Sequence, residues 1–471
     1  MIAALVVLFH ILGLVSALHS VMSTRTSQGS IAWAVTLVTF PYVAVPAYWV
    51  FGRSKFEGYV LARRSADDRT QAFEQEAIET GTPFLLRGDD RVEAVRAGEQ
   101  LAGMPVLRGN HVDLLVDGDA TFDSIFRGID EAADYVLVQF YIIKDDGLGG
   151  ALKDKLIAAT RRGVRAYVLY DEIGSVGLTE KYKRELRDAG VEVREFNTRK
   201  GRRNRFQLNF RNHRKIGVGD GRIAWIGGHH VGDEYLGKDP KFGHWRDTHL
   251  RIEGPAVLKA QLSFAEDWHW ATDETPSLSW RAQAAPGDSD MRVLVIPSGP
   301  ADDLETASLM FVHAIQAAKE RIWIASPYFV PDEAIMSALQ LAGLRGVDVR
   351  ILVPDNPDHM IVYLAAFAYF DDASKTGAKI YRYTDGFLHE KAMLIDDTAA
   401  AIGTANFDNR SFRLNFEVTT FVGDSSFVAQ VQQMFEADFA RSRLMAPGEY
   451  ESKPWYFRLG VRLARLMAPI L

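Results

Sequence analysis

The feature that most constrains this chain is a pattern of three polar residues that occurs twice. The pattern is His-x-Lys-x4-Asp, and a turn of small residues lies seven positions after each aspartate, Gly227-Gly228 in one copy and Gly403-Thr404 in the other. One match of three common residues is weak, whereas two matches with the same turn at the same offset are specific. They predict a site built twice from one template and closed across a pseudo-two-fold axis. The residues of the two copies are His213, Lys215 and Asp220, and His389, Lys391 and Asp396.

Paired histidines and lysines suit the exchange of phosphate esters through a covalent intermediate. A neutral imidazole can attack a phosphodiester while a second, protonated imidazole donates its proton to the departing alkoxide, and the roles reverse for the incoming alcohol. Two lysines supply positive charge for the phosphate oxygens, where electrostatic stabilisation is strongest in a site without water. This scheme requires no metal and no other cofactor. A His and a Lys two residues apart also fit a β-strand, in which alternate side chains share one face.

Five segments around the motifs carry a longer and more specific pattern. They are Asn212-His-Arg-Lys-Ile216, Gly227-Gly-His-His-Val-Gly-Asp-Glu-Tyr235, Trp245-Arg-Asp-Thr-His249, Gly386-Phe-Leu-His-Glu-Lys391 and Gly403-Thr-Ala-Asn-Phe-Asp-Asn-Arg-Ser-Phe-Arg-Leu-Asn-Phe-Glu417. These segments resemble the phospholipase D superfamily and, within it, the bacterial cardiolipin synthases. The resemblance covers almost the whole chain, from the hydrophobic N-terminal region to near the C-terminus.

The resemblance implies a phosphatidyltransferase that condenses two phosphatidylglycerol molecules into cardiolipin and glycerol through a phosphohistidine intermediate. It favours His213 as the nucleophile and His389 as the acid that protonates the leaving glycerol, a choice that the two motifs alone leave open. Two other classes of function also stay open. One is a hydrolase of the same superfamily, a phospholipase D or a membrane-anchored nuclease, in which water replaces the acceptor alcohol. The other is a non-catalytic membrane scaffold, which the intact His, Lys and Asp of both motifs disfavour.

One position of the pattern differs between the two halves. Asn406 occupies the Gly-x-x-Asn position of the superfamily and is expected to hydrogen-bond a phosphate oxygen, whereas the equivalent position in the first half holds His230. A neutral His230 can still donate one hydrogen bond, so the two halves of the site are expected to be functionally unequal. The adjacent His229 and His230, with His244 and His249 nearby, could suggest a metal site. No metal is expected, because neighbouring residues of a strand point to opposite faces.

Each catalytic histidine needs a partner on its second ring nitrogen to fix its tautomer and orientation. The motif aspartates Asp220 and Asp396 lie seven residues further on, an odd offset that places them on the opposite face of a continuous strand. In the superfamily that the chain resembles, a later carboxylate often takes this role, and Asp247 and Glu417 fit its position. We therefore expect Asp247 and Glu417 to orient the histidines, and Asp220 and Asp396 to organise turns beneath them.

The chain between its two ends is an internal duplication. Residues 134–141 match residues 321–328 as a buried strand, and amphipathic helices such as 152–162 and 334–344 separate the strands. This alternation predicts an α/β fold, with two similar phospholipase D-like domains in a pseudo-two-fold arrangement. The expected divisions are 1–60 for a membrane anchor, 61–275 for the first domain, 276–291 for a linker, 292–450 for the second domain and 451–471 for a basic amphipathic tail.

Two uncharged stretches near the N-terminus, residues 2–18 and 31–51, are each close to the length that crosses a hydrocarbon core of ~30 Å. Basic residues follow the second stretch. The positive-inside rule therefore predicts a transmembrane helical hairpin, multi-pass in a bacterial inner membrane, with the catalytic body on the cytoplasmic side. A signal peptide is the alternative for the first stretch, because Val15-Ser-Ala17 resembles a cleavage site, but no basic region precedes it. The basic residues are Arg53, Lys55, Arg63 and Arg64.

The expected partners are phosphatidylglycerol, which the resemblance implies, and anionic membrane lipid, which the local charge of one segment favours. A net charge of −7 argues against general attraction to nucleic acid or to anionic lipid, and the absence of cysteine excludes disulfides and thiol catalysis. Residues 199–215 nevertheless hold eight basic residues and no acidic one, which favours contact with an anionic surface. A solvated face or a nucleic-acid track has the same composition. Residues 453–467 predict an amphipathic helix that lies in the membrane interface or packs on the body. Nothing in the sequence indicates an oligomeric state.

Overall fold

A computed structural model describes residues 2–24, 26–52, 55–56, 58–60, 67–86, 93–197 and 209–471. Residues 199–208 of the basic segment, together with Arg53, Arg63 and Arg64, lie outside the described residues, so the predictions made for them stay predictions. The longer helices of the N-terminal region are α1 (Ile2–Ser23), α2 (Ser27–Thr39), α3 (Pro41–Phe51), α4 (Asp67–Gly81) and α5 (Glu93–Ala102).

The body consists of two halves in which strands alternate with helices. The first half contains β1 (Leu107–Val116), α6 (Asp117–Glu131), β2 (Tyr135–Phe140), α7 (Gly147–Arg161), β3 (Arg165–Asp171), α8 (Glu180–Asp188), β4 (Glu192–Phe196), β5 (Arg211–Asn212), β6 (Ile216–Gly219), β7 (Ile223–Gly227), β8 (Trp245–Arg246), β9 (Thr248–Glu253) and α9 (Val257–Thr272). The second half contains β10 (Met291–Ser298), α10 (Thr306–Ala317), β11 (Arg321–Ala325), β12 (Phe329–Val330), α11 (Glu333–Leu344), β13 (Asp348–Pro354), α12 (Met360–Ser374), β14 (Lys379–Tyr383), β15 (Phe387–Leu388), β16 (Ala392–Ile395), β17 (Ala399–Gly403), β18 (Phe407–Asp408), α13 (Asn409–Arg413), β19 (Asn415–Val422), α14 (Ser425–Ala440), β20 (Ser442–Leu444), α15 (Glu449–Ser452) and α16 (Trp455–Arg465).

One continuous sheet joins the two halves. Antiparallel pairing of β1 with β10 at its centre aligns Leu107 with Val293 and Asn110 with Met291. Outward from this pair, the first half runs β1-β9-β7-β6-β2-β3-β4 and the second half runs β10-β19-β17-β16-β11-β13-β14-β20. The same order of equivalent strands appears on both sides. The predicted α/β fold with two similar halves is therefore confirmed.

Local sequence explains the outer, parallel part of each half. All six residues of β2 are buried, as expected for a parallel strand that helices cover on both faces. The crossover helices begin at aspartates whose side chains cap free backbone amides: Asp146 accepts a hydrogen bond from Gly149 N, and Asp332 accepts one from Ile335 N. The helices then return the chain so that the next strand lies beside the last one.

The N-terminal region shows one of the two spanning helices of the predicted hairpin, and the second span stays a prediction. Among the described residues, α1 alone is long and apolar enough to cross a membrane. The second apolar stretch is divided into α2 and α3 at Phe40, whose backbone leaves the helical region (φ −138°, ψ 59°). Pro41 explains this break, because its ring disfavours a helical conformation for the residue before it and it has no N–H to donate. The three helices still pack together through Ala17, Leu37, Ala44, Val45 and Tyr48.

The predicted domain boundaries remain a prediction. Residues 273–290 contain no helix or strand, and β10 begins at Met291, the last residue of the predicted linker. The end of α5 and the residues that follow it pack into the core of the second half through Ala102 and Val106. This N-terminal segment was expected to belong to the first half.

Candidate active site

Each half of the molecule extends a two-residue strand into the other half just before its catalytic motif. Strand β5 pairs with β19, which aligns Asn212 with Phe416, and β15 pairs with β8, which aligns Leu388 with Arg246. The histidines follow at the points where the chain leaves the partner half and joins the sheet of its own half. His213 N donates to Phe416 O (2.9 Å), and His389 N donates to Arg246 O (2.7 Å).

This arrangement corrects the expectation that each His-x-Lys unit lies within one β-strand. His213 and Lys215 lie in the link between β5 and β6, and His389 and Lys391 lie in the link between β15 and β16. The reason is a change of partner strand at the histidine, which the spacing of a motif does not reveal. The side chains of His213 and His389 keep only 10% and 9% of their surface exposed, so the site is almost closed to water.

His213 is held by a carboxylate from the second half. Its Nδ1 lies 2.9 Å from both Oε1 and Oε2 of Glu417. Glu417 is fully buried, and it also accepts hydrogen bonds from Thr404 Oγ1 (2.6 Å) and Asn415 Nδ2 (3.1 Å). Because Nδ1 donates its proton to Glu417, the Nε2 of a neutral His213 carries the free lone pair.

His389 is held in the same way by a carboxylate from the first half. Its Nδ1 lies 2.6 Å from Oδ2 of Asp247, and Oδ1 of Asp247 accepts a hydrogen bond from Thr248 N (2.8 Å). The indole ring of Trp245 packs against the imidazole with 5.1 Å between ring centroids. Each imidazole therefore depends on the opposite half for its carboxylate.

Two buried lysines supply the positive charge beside the histidines. Lys215 Nζ donates to His213 O (2.7 Å), and Lys391 Nζ lies 2.8 Å from His389 Nδ1. Burial lowers the pKa of Lys215 well below its ordinary value and lowers the pKa of Lys391 to about 8, even though Asp247 and Glu417 act in the opposite direction. An anion that enters the site favours the protonated, charged forms of both lysines.

Burial also keeps the imidazoles neutral in the empty site. Desolvation lowers the pKa of His213 to about 4, although the charge of Glu417 opposes this shift. Desolvation, together with the charges of Lys391 and Lys215, lowers the pKa of His389 well below its ordinary value. A neutral imidazole is the form that can attack a phosphorus atom.

The motif aspartates lie at the opposite ends of strands β6 and β16, away from the histidines. Asp220 and Asp396 adopt left-handed backbone conformations with φ of 52° and 48°. The Asp220 carboxylate accepts hydrogen bonds from the amides of Ala133, Asp134 and Tyr135 at 2.8–2.9 Å. The Asp396 carboxylate accepts three equivalent bonds at 2.9 Å, from the amides of Lys319, Glu320 and Arg321. Both carboxylates therefore anchor a turn to the start of a neighbouring strand.

The ring of His230 lies between the two catalytic histidines. Its centroid is 5.4 Å from that of His213 and 5.7 Å from that of His389. Two tyrosines that the motif analysis did not identify surround it, Tyr141 at 5.6 Å and Tyr235 at 5.2 Å. Tyr235 ends the segment that begins at Gly227, and Tyr141 ends the predicted strand 134–141, so both were within reach of a motif-based search.

Asn406 and His229 lie in different places relative to the rings of His213, His230 and His389. Asn406 is buried in the second half, and its backbone N–H donates to Ser411 Oγ (3.1 Å). His229 contacts Phe122 and His249 instead of the catalytic rings, so His229 and His230 point to opposite faces. Among the described residues, the buried atoms without a hydrogen-bond partner include Nδ1 of His230 and Oδ1 of Asn406.

The residue between His and Lys differs in charge between the two motifs. Arg214 is buried and bonds to both carboxylate oxygens of Asp267 at 2.9 Å. Glu390 takes its place in the second motif and lies 2.5 Å from the guanidinium of Arg246, which comes from the first half. Arg246 also donates two hydrogen bonds of 2.8 Å to Asp438. Burial raises the pKa of Glu390 well above its ordinary value, although Arg246 opposes this shift.

Taken together, the geometry provides a buried neutral imidazole, a second imidazole, two lysines and a polar third ring around one small space. Such a set can carry out nucleophilic attack, proton donation to a leaving group and charge stabilisation of a phosphate. Among the described residues, no group of three or more histidines and carboxylates is arranged to hold a metal ion.

Known proteins are similar in sequence to this chain over nearly its whole length. A family model described as "Cardiolipin synthase, PLD-like domain" matches residues 125–243 and 311–439, and one described as "Phospholipase_D-nuclease N-terminal" matches residues 2–53. Cardiolipin synthase A of Pseudomonas fluorescens (strain Pf-5) is 50% identical over 99% of this chain and 98% of its own length. Cardiolipin synthase A of Pseudomonas putida (strain GB-1) is 48% identical over 98% of this chain and 97% of its own length.

Solved structures share the fold. The crystal structure of phosphatidylserine synthase from Haemophilus influenzae superposes with a TM-score of 0.61, covering 81% of this chain and 100% of that chain at 17% identity. At that identity the likeness concerns the fold alone. The resemblance that the motifs indicated is thus confirmed by relatives that align from end to end. This chain therefore belongs to the family of cardiolipin synthases with phospholipase D-like domains.

Proposed function

We propose that this membrane-associated enzyme condenses two molecules of phosphatidylglycerol into cardiolipin and glycerol. Its relatives over nearly the whole chain are named cardiolipin synthase A, which supports the reaction. The observation that carries the mechanism is the exchange of carboxylates: Glu417 of one half binds His213 of the other, and Asp247 binds His389 in the reverse direction. Both imidazoles are thereby held with Nε2 available to one substrate phosphate.

In the first step, Nε2 of His213 attacks the phosphorus of one phosphatidylglycerol. The bond between phosphorus and the glycerol oxygen breaks, and protonated His389 donates its proton to that oxygen, so that free glycerol leaves. The bound phosphodiester supplies the negative charge that favours protonation of His389. Lys215, Lys391, Asn406 and His230 are proposed to contact the phosphate oxygens.

In the second step, the terminal hydroxyl of another phosphatidylglycerol attacks the phosphohistidine. His389 accepts the hydroxyl proton, the bond between phosphorus and Nε2 of His213 breaks, and cardiolipin is released. The number of phosphodiester bonds is the same before and after, so the exchange needs no external energy source. Water must stay outside for this outcome, and the small exposure of both catalytic histidines favours its exclusion.

One assay tests the proposal against the two other classes of function. Purified protein is incubated in phosphatidylglycerol vesicles, and the lipid products and free glycerol are measured together. We expect cardiolipin and glycerol in equal amounts. Phosphatidic acid would instead indicate a hydrolase, and the absence of turnover would indicate a scaffold.

We also propose that the protein is multi-pass, with its catalytic body on the cytoplasmic side of a bacterial inner membrane. The apolar helix α1 and the apolar helices α2 and α3 precede Lys55, which supports this orientation. The chain has no cysteine, so a single Leu344→Cys substitution at a 74% exposed position, at the edge of the sheet opposite the catalytic motifs, provides a unique label site. A membrane-impermeant thiol reagent should label it only in opened cells. Labelling in intact cells would show that the body lies on the opposite side of the membrane.

A further inference from the structure

The C-terminal helix α16 is apolar on two faces, which is unusual for a surface helix. One face packs on α12: Val461 and Ala464 are buried, and the ring of Phe457 lies 5.1 Å from that of Phe367. The outward face has no cover among the described residues. This C-terminal apolar face consists of Trp455, Tyr456, Leu459, Leu463 and Leu466, all of them exposed.

Charge on this helix favours an anionic partner. From Lys453 to Leu471 the chain has four basic residues and no acidic one. Arg465 pairs with Asp372 (3.2 Å), whereas Arg458 and Arg462 are exposed along the border of the apolar face. Aromatic residues beside arginines and leucines are typical of a helix that lies in the interface of a bilayer. If this face met only water, its apolar side chains would remain exposed at a cost in free energy.

The end of the chain lies beside the active site. Arg410, in the short helix that follows Asn406, donates from its backbone N to Leu471 O (2.7 Å) and from its side chain to Ile470 O (3.2 Å). The same guanidinium donates to Asn209 O (2.8 Å), four residues before His213. The residues that follow helix α16 therefore lie at the edge of the body that carries the catalytic motifs.

The membrane anchor joins the body at the same edge. Phe56 N donates to Pro300 O (3.1 Å), and the ring of Phe56 stacks on that of Phe210, 5.1 Å away. Phe210 directly follows Asn209, and Asn209 is the residue whose carbonyl oxygen Arg410 binds. Gly52 and Phe56 are four residues apart, a separation that spans at most about 14 Å. The end of α3 thus lies close to the edge that holds α16.

Two further exposed apolar sites lie at this edge, one in each half. Val176 lies in the loop after β3, whose last residue, Asp171, accepts a hydrogen bond from Asn212 N (2.8 Å) beside His213. Met360 and Ile361 begin α12 after the equivalent strand β13. The apolar positions therefore lie on both sides of the catalytic motifs, and the anchor junction lies among them.

We propose that the C-terminal apolar face is a second membrane contact, separate from the anchor, which lies in the interface of the anionic leaflet and keeps the mouth of the active site on the lipid surface. The inference rests on the proposed lipid substrate and specifies how that substrate enters: phosphatidylglycerol reaches the histidines from the leaflet without crossing water. A surface charged by phosphatidylglycerol is complementary to Arg458 and Arg462.

A nitroxide label tests this contact independently of turnover. In the full-length chain, Leu463→Cys (56% exposed) is labelled and reconstituted in vesicles of phosphatidylglycerol and phosphatidylcholine. We expect the label to be more accessible to oxygen than to a water-soluble nickel chelate. The matched control is Leu344→Cys (74% exposed) at the end of α11, which precedes β13 and lies at the opposite edge of the sheet. Its label should be more accessible to the nickel chelate.

Two results would overturn the proposal. Equal aqueous accessibility at positions 463 and 344 would show that the face does not touch lipid. Spin–spin broadening at position 463 that disappears on dilution with unlabelled protein would show that a second copy of the chain covers it. Either result leaves the proposed reaction intact if cardiolipin still forms, so the two proposals fail separately.

A pair of charge variants then measures what the contact does. The double variant Leu459→Glu/Leu463→Glu should make cardiolipin at least about tenfold more slowly in vesicles but at a similar rate in mixed detergent micelles, where each enzyme is surrounded by substrate. Leu341→Glu/Leu344→Glu, on the exposed face of α11, should behave like the parent in both assays. Equal rates of the first variant and the parent in vesicles would contradict the role in substrate access.

Discussion

The two halves of this molecule share one strand order but compensate their buried charges differently. In the first half, Arg214 of the motif is neutralised by Asp267 from α9 of the same half, and Asp267 also accepts hydrogen bonds from Gln139 (2.7 Å) and Asn212 (2.8 Å). In the second half, Glu390 and Asp438 are both acidic, and Arg246 comes from the first half to lie between them. The first half therefore has a charge partner of its own, whereas the second half depends on a residue across the pseudo-two-fold axis.

This difference shows how one duplicated template can become a single obligatory unit. The carboxylates that hold His213 and His389 are exchanged between the halves, and Arg246 adds a further bond in one direction only. Neither half has a complete site alone. The five predictions below test this comparison, from the largest expected effect to the smallest.

The catalytic histidines should give the largest effect. His213→Ala and His389→Ala should each lower kcat by at least about 10³-fold, because one removes the nucleophile and the other removes the proton donor. Radiolabelled phosphatidylglycerol and an acid quench distinguish the roles: a covalent phosphatidyl adduct should form on His213 in the His389→Ala variant. Label found on other residues alone would overturn this assignment.

Arg246 should matter more to stability than its counterpart Arg214. Arg246→Met leaves the carboxylate of Asp438 buried without a cation and removes the guanidinium beside Glu390, which should cost about 3–5 kcal/mol of unfolding free energy. Arg214→Met leaves only Asp267, which keeps its amide donors. Thermal unfolding in detergent, followed by tryptophan fluorescence, compares the two variants. An equal or larger loss for Arg214→Met would contradict the asymmetry.

The carboxylates exchanged between the halves should affect catalysis, whereas the motif aspartates should affect stability. Asp247→Asn and Glu417→Gln should lower kcat about 10²-fold with little change in thermal stability, because each removes the partner of an imidazole. Asp220→Asn and Asp396→Asn should lower the melting temperature, since each carboxylate accepts three backbone hydrogen bonds. A larger loss of kcat in folded Asp220→Asn than in Asp247→Asn would contradict these roles.

The pH profile of activity should reflect the pKa of Lys391, which burial lowers less than that of Lys215. A lysine stabilises phosphate only when protonated, and burial lowers the pKa of Lys391 to about 8. We therefore expect kcat/KM to fall about tenfold per pH unit as the pH rises above about 8. In Lys391→Arg the guanidinium stays charged, so whatever activity remains should not show this fall. A profile of the parent enzyme that stays flat to pH 10 would contradict the proposed role of Lys391.

His230 and Asn406 should give the smallest effect. If both donate one hydrogen bond to the phosphate, His230→Ala and Asn406→Ala should each lower kcat about tenfold, equivalent to one hydrogen bond. His230→Asn should keep activity close to that of the parent, because an amide replaces the imidazole donor. An unchanged rate in His230→Ala would show that His230 does not contact the reacting phosphate.

Sequence patterns anticipated several structural elements closely. Helix α11 was predicted at residues 334–344 and spans Glu333–Leu344, and α7 ends at Arg161, one residue before the predicted end. The odd offset of Asp220 and Asp396 indicated that they organise turns, and both carboxylates accept hydrogen bonds from backbone amides. Periodicity succeeds in such cases because it reports on residues that are close along the chain.

Prediction from sequence patterns is weaker for the N-terminal hairpin. Hydropathy identified residues 31–51 as one span, because hydropathy averages over a window and ignores backbone geometry. Pro41 divides the stretch into α2 and α3 through a local effect on Phe40. The Phe40-Pro41 dipeptide was visible in the sequence, but a proline within a membrane helix is often tolerated, so the dipeptide alone did not predict the break.

The sequence by itself determined the duplication, the α/β class and the residues of the catalytic motifs, because each of these is written in short-range spacing that repeats. Only the tertiary structure decided which carboxylate serves which histidine and which arginine lies beside Glu390. These contacts join residues 204 positions apart for His213 and Glu417 and 142 positions apart for Asp247 and His389. Strand periodicity specifies the face that a side chain occupies, whereas its partner is specified by the order of strands and by the exchange of β5 and β15 between the halves.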